Sequence, residues 1–381
     1  MNLLAGRGSR LDSLTGLCWW AALLVFGEHL AALRPGSEVG SDDTGPADTV
    51  LHWFFGTGTI GVSCFFILSG FVLAWTYCPE TDTVSRFWRR RFAKIYPVYF
   101  VLTVLAFFMF AGMGRTPSGT NVVLHLTLLQ SWTPDQSLYF GLNPVTWSLS
   151  CEAFFYAILP LLFVALRRLP ASALYATVAA AVAGAFVLPY TLGELVDLPY
   201  PAEEIISTGP VGGPFPYWFT YVLPAFRALE FAAGVCAALL VRRGQWRGPG
   251  VPFVLLIAAL ATADVRGTWS PLRGRVMRFL GEISYCLYVF QLLLLAVVSG
   301  ALRPALAAAG VLPDEEAALP AWLVGPVGLG CLTLCVLVAW AAYRWIEVPL
   351  MRRLRPRSAA SAGPGGTERS PDAVSADRTP A

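Results

Sequence analysis

The chain has 381 residues, of which 56% are hydrophobic and only 13% charged, with a formal net charge of +3. Ordinary globular domains carry about 25% charged residues, so this composition excludes a soluble globular protein and indicates a polytopic, all-α membrane protein. No nucleic-acid partner is expected, and the eight cysteines lack the C-x-x-C spacing of a metal or redox site.

The first apolar run, Leu17–Ala32, reads LCWWAALLVFGEHLAA and is interrupted only by Glu28 and His29. It lacks a small-residue cleavage site, so it reads as a retained first span, residues 14–33, and not as a removed signal. An ionisable side chain at membrane depth is costly and marks a functional site. His29 has the chemistry of a general base able to take a proton from an alcohol; the alternative is a structural histidine bonding a neighbouring helix. Cys18, eleven residues upstream, falls on the same helix face about 16 Å away.

Further spans are expected at 58–77, 96–113, 145–166, 172–193, 216–241, 250–265, 279–299 and 321–345. The short stretch Val122–Trp132 reads as a tenth crossing, a re-entrant segment or an interfacial helix. Arg7 and Arg10 precede the first span, and Arg86, Arg89, Arg90, Arg91 and Lys94 crowd the loop 78–95. Loop 34–57 between them is acidic, with Glu38, Asp42, Asp43 and Asp48. Positive charge stays on the cytoplasmic side, so the N-terminus is expected inside and loop 34–57 outside. The basic C-terminal segment, Arg344 to Arg357, is expected inside as well. Both ends inside require an even number of crossings, about ten. Residues 1–355 form the membrane-embedded domain, and the Ala/Ser/Pro/Gly-rich tail 356–381 is expected to be disordered.

Several constellations carry chemistry. Arg91 and Lys94 are one turn apart at the mouth of a span, with Arg89 and Arg90 beside them. They suit the phosphates of an anionic cofactor, although setting topology would account for the same charge. In NPVTWSLSCEAFFY (143–156), Glu152 lies about two turns inside a span, flanked by Ser148, Ser150 and Tyr156. A buried carboxylate needs a partner or a proton, and His29, Arg227 or a substrate hydroxyl could serve. Arg227 and Glu230, three apart, read most simply as a helix-locking ion pair. Ser284, Tyr285 and Gln291 sit on a later span, and Glu347 near the end of the last one. His52 and His125 read as structural.

The order of these stretches resembles the acyltransferase 3 family of integral-membrane O-acyltransferases. The matching segments are LDSLTGLCWWAALLVFGEH (11–29), GVSCFFILSGFVLAW (61–75), FWRRRFAKIYPVYF (87–100), WSLSCEAFFY (147–156), LPAFRALEF (223–231), LGEISYCLYVFQ (280–291) and YRWIEVPL (343–350). The resemblance implies acyl transfer from cytoplasmic acyl-CoA, most simply acetyl-CoA, to a hydroxyl, with no metal. His29 matches the family's essential histidine, Arg91 and Lys94 its paired basic residues, and Glu152 its buried carboxylate, which is expected to support the His29 imidazolium. Ser150 or His29 could also carry the acyl group covalently. Two positions depart from the pattern: Cys18 stands where the family has arginine, and Gln291 where many members have histidine. The first span looks like that of actinobacterial members that acylate macrolides or similar antibiotics. A cell-envelope polysaccharide or lipid-linked sugar is the alternative acceptor. Outside the enzyme reading stand a transporter and a pseudoenzyme, the latter motivated by Cys18.

Overall fold

The computed structural model describes residues 11–32, 55–56, 58–195, 217–246, 252–315, 317 and 319–354, and their regular structure is all helical. The helices are α1 (Asp12–Ala32), α2 (Thr59–Thr76), α3 (Val84–Gly112), α4 (Gly119–Leu126), α5 (Trp147–Leu166) and α6 (Ala171–Leu195). They continue with α7 (Pro224–Arg242), α8 (Pro252–Arg266), α9 (Arg275–Ala308), α10 (Ala321–Ala342) and α11 (Val348–Leu354). Local chemistry sets the starts. Thr83 caps α3 by accepting from the Arg86 amide, Ser118 caps α4 through Asn121, and Pro224 opens α7 where no amide donor is needed.

Seven helical segments are long and apolar enough to cross a bilayer: those built on α2, α3, α5, α6, α7, α9 and α10. They coincide with seven of the nine expected spans. The other two expected spans are helical but not among the seven: α1 carries Asp12, Glu28 and His29, and α8 has only 15 residues. The 122–132 stretch is not a crossing. It resolves into the eight-residue α4 and the 3-10 turn Gln130–Trp132; eight residues rise only about 12 Å, against a hydrocarbon core of about 30 Å. The tail 356–381, the acidic loop 34–54 and His52 lie outside the described residues.

The most enclosed span is α7, and α6 and α10 are the least. Close contact between α7 and α2 rests on two glycines. A Cβ on Gly70 would run into the Phe231 carbonyl, and one on Gly234 into the Ile67 carbonyl. In a bilayer, helices gain little from hydrophobicity and associate through such close backbone approach.

One end of the bundle is basic. There Ser13 donates through its backbone and hydroxyl to Asp264 (2.8 and 2.7 Å), and Asp12 pairs with Arg278. Arg242 bonds the last carbonyls of α2, and Arg167 pairs with Glu80. The start of α1 and the start of α3 meet the C-terminal segment around Met351 at a shared cavity, so the two ends of the described chain lie on one side. Gly234→Ala should therefore lower stability by about 1–3 kcal/mol, read as a depressed thermal midpoint in detergent. Gly112→Ala, with nothing near its added methyl, should leave the midpoint in place.

Candidate active site

A cavity of about 560 Å³ opens at the basic end between α1, α2, α3, α5 and α9, with Tyr343 and Met351 also on its wall. Cys18, Ser69, Arg91, Lys94, Glu152, Tyr156, Ser284 and Tyr285 all line it. Residues that the sequence scatters over nearly the whole chain are thus gathered around one cavity.

The basic residues divide by whether each already has a partner. Lys94 is ion-paired with Glu347, a fully buried carboxylate that also accepts from the Cys286 thiol at 3.2 Å. The Lys94 ammonium lies 5.9 Å from the centre of the Tyr285 ring, whose hydroxyl is tied to the Ile95 carbonyl. Arg90 makes a bidentate pair with Asp82 at 2.8 and 2.7 Å. Those hydrogen bonds hold the Asp82 carboxyl below its ordinary range, against the opposing effect of partial burial, so the pair persists at neutral pH. Arg89 is exposed and does not line the cavity. Arg91 differs: its guanidinium rests 5.5 Å above the Phe87 ring, and its buried Nε has no partner. Among the described residues it is the cavity cation without an ion pair. Of the four basic residues expected to hold phosphates, Lys94 and Arg90 are engaged by acidic neighbours, Arg89 lies off the cavity, and Arg91 lines it without an ion pair.

Glu152 accepts from the Ser69 hydroxyl at 2.9 Å, and Tyr156 stands one turn along α5 on the same cavity. It contacts neither of its expected protein partners. Arg227 pairs instead with Glu230 at 3.1 Å, donates to Ser63, and lies 5.1 and 5.0 Å from the rings of Phe66 and Tyr221. That is the helix-locking pair anticipated from the sequence. Ser150 donates to the Leu128 carbonyl at 2.6 Å and is not on the cavity wall. Leu128 has a φ of 58°, so this serine steadies a strained turn and is turned away from the cavity.

His29 does not line the cavity either. Its ring partner is Gln291, with 3.2 Å between the amide Nε2 and the imidazole Nδ1. The inner end of the cavity carries the hydrogen-bonded hydroxyls of Ser148 and Tyr288, 2.8 Å apart. Tyr288 precedes Gln291 by one helical turn, so His29 belongs to the layer just beyond this inner end. The Cys18 thiol, on the cavity wall, donates to the Leu14 carbonyl at 3.4 Å. His125 is structural: Nδ1 meets the Asn121 carbonyl at 3.0 Å and Nε2 the Leu142 amide. Ser69 and Tyr288 were not singled out from the sequence; the available signal was a hydroxyl within an otherwise apolar helix.

The family described as "Acyltransferase domain" matches residues 11–343. The chain is similar to the acyltransferase MdmB of Streptomyces mycarofaciens, 34% identical over 403 aligned positions that cover 96% of this chain and 98% of the relative. No solved structure matches.

If Lys94 serves mainly to neutralise Glu347, Lys94→Met should strand a buried carboxylate. The cost should be roughly 3 kcal/mol, the low end for breaking a buried pair because the lysine head is partly exposed. Thermal unfolding in detergent reads this, and Lys94→Met combined with Glu347→Met should recover most of the loss.

Proposed function

The chain belongs to the acyltransferase domain family, and from that premise we propose that it transfers an acyl group from acyl-CoA to a hydroxyl of a natural product such as a macrolide. The observation that carries this reading is the cavity. It is open at the basic end, walled by an arginine without an ion pair, and reaches inward to within one helical turn of the Gln291–His29 pair.

An acyl-CoA has an anionic head and a long, slender arm ending in a thioester. Arg91 holds a head phosphate by charge-assisted hydrogen bonds, and the arm runs inward past Cys18 toward Ser148 and Tyr288. The acceptor hydroxyl meets the thioester at the His29 layer. As the oxygen attacks the carbonyl, His29 takes its proton; the carbon–sulfur bond then breaks, and the imidazolium returns that proton to the departing thiolate. Glu152, bonded to Ser69, shapes the donor path and does not support the imidazolium.

Acyl-CoA is cytoplasmic, and the basic end suits that side of the cell membrane. Arg86, Arg89, Arg352 and Arg353 are exposed there, and the positive-inside rule orients such an end inward. Both termini are then cytoplasmic, with an even number of crossings. The acceptor class is supported by the Streptomyces origin of the relative and by the first-span segment LTGLCWWAALLVF.

Membranes bearing the protein would be incubated with labelled acetyl-CoA and a panel of macrolides, envelope polysaccharides and lipid-linked sugars. Esterification of a macrolide is expected, and it should vanish in a folded His29→Ala variant. Arg91→Ala should raise the KM for acetyl-CoA about tenfold or more, the loss expected for a hydrogen bond to a charged group. Cys18→Arg should leave turnover at or above wild type. Turnover retained by His29→Ala would overturn the assignment of the base, and acceptor movement without esterification would overturn the reaction.

A further inference from the structure

The contact between His29 and Gln291 determines which nitrogen of the ring is free to act. We propose that Gln291 is a positioning residue that fixes His29 as a base by accepting the Nδ1–H of its imidazole through the side-chain carbonyl oxygen. The proposal rests on the reading of His29 given above and extends it to a residue outside the donor cavity.

The geometry leaves two arrangements. Gln291 is fully buried on α9, one end of its amide lies 3.2 Å from Nδ1, and the other end has no partner among the described residues. The nitrogen and oxygen of a side-chain amide have nearly the same shape, so either can face the ring. A neutral imidazole carries one N–H. If the amide donates, Nδ1 is the acceptor and the proton sits on Nε2. That nitrogen, the one left to face substrate, then has no lone pair to offer. If the carbonyl faces the ring, the proton is on Nδ1 and Nε2 is free to take the hydroxyl proton. The same carbonyl continues to accept from Nδ1–H when the ring becomes an imidazolium.

No other side chain among the described residues bonds the His29 ring. The carboxylate expected in this role, Glu152, is occupied with Ser69 in the cavity wall. Gln291 therefore stands where a triad places its orienting group, and as an amide it does so without bringing a second ionisable group into the apolar interior. The helices that carry the pair pack closely: a Cβ on Gly281 of α9 would meet the Thr15 carbonyl of α1.

The test uses the full-length protein in detergent or membranes, with acetyl-CoA and the acceptor identified in the preceding assay. Gln291→Met keeps the length of the side chain and removes the acceptor. It should lower kcat about 100-fold or more, the scale of a general base deprived of its orienting partner, while the KM for acetyl-CoA stays unchanged. Gln291→Glu keeps an oxygen acceptor and should return kcat to within about tenfold of wild type. If Gln291→Met does not elute as a folded species, Gln291→Asn, which keeps the amide but withdraws it by one methylene, is read in the same way. Wild-type kcat in the Met or Asn variant overturns the proposal, and so does a Glu variant as impaired as Met. His29→Ala in parallel separates the two ideas. If it retains turnover, the base itself is misassigned; if it is inactive while Gln291→Met is active, only the role of Gln291 fails.

Discussion

A charge removed from water must find a partner, and the fully buried Glu347 carboxylate organises the basic end of this bundle around that requirement. It draws Lys94 from α3 and the Cys286 thiol from α9 onto the turn that follows α10. The same end ties Arg90 to Asp82 and Arg278 to Asp12. What remains in the cavity is Arg91, whose guanidinium rests on Phe87 and is in no ion pair among the described residues. The pairing of the neighbouring cations thus singles out the one left over.

The second constraint is distance. In one continuous helix, α1, Cys18 stands on the cavity wall and His29 about three turns further along. The helix rise itself fixes this separation, while close backbone packing at Gly281 against Thr15 ties α1 to α9. A donor with its charged head near Arg91 and its reactive end deep in the membrane matches such a spacing. The proposed base and the proposed anion site are then two layers of one site, with the Ser148–Tyr288 hydrogen bond where they meet.

This arrangement changes how the buried polar residues divide their work. Glu152 and Ser69 form a bonded pair facing the cavity with Tyr156 beside them, whereas the partner of His29 is an uncharged amide. Arg227 and Glu230 neutralise each other between aromatic rings and lock α7 in the centre of the bundle. Ser150 is spent on the strained turn at Leu128. Buried polarity in this protein therefore serves four ends, and only its placement tells them apart.

Much of this was legible along the chain. Apolar run length established an all-helical membrane protein, because a span needs a fixed number of residues whatever it packs against. The isolation of His29 in the first run, the crowding of arginines before α3, and the i,i+3 spacing of Arg227 and Glu230 were likewise local facts. The family followed from seven such segments in order. What the chain could not express was the pairing across helices. That Lys94 belongs to Glu347, 253 positions away, and that His29 meets Gln291 where Glu152 was expected, depends on which helix faces are brought together. The short reach of α4 was hidden too, since a run of apolar residues does not reveal where its helix stops. Composition and spacing determined what kinds of groups enter the membrane; tertiary packing alone decided which of them remain free to act, because a buried charge is defined by its neighbour and not by its position in the sequence.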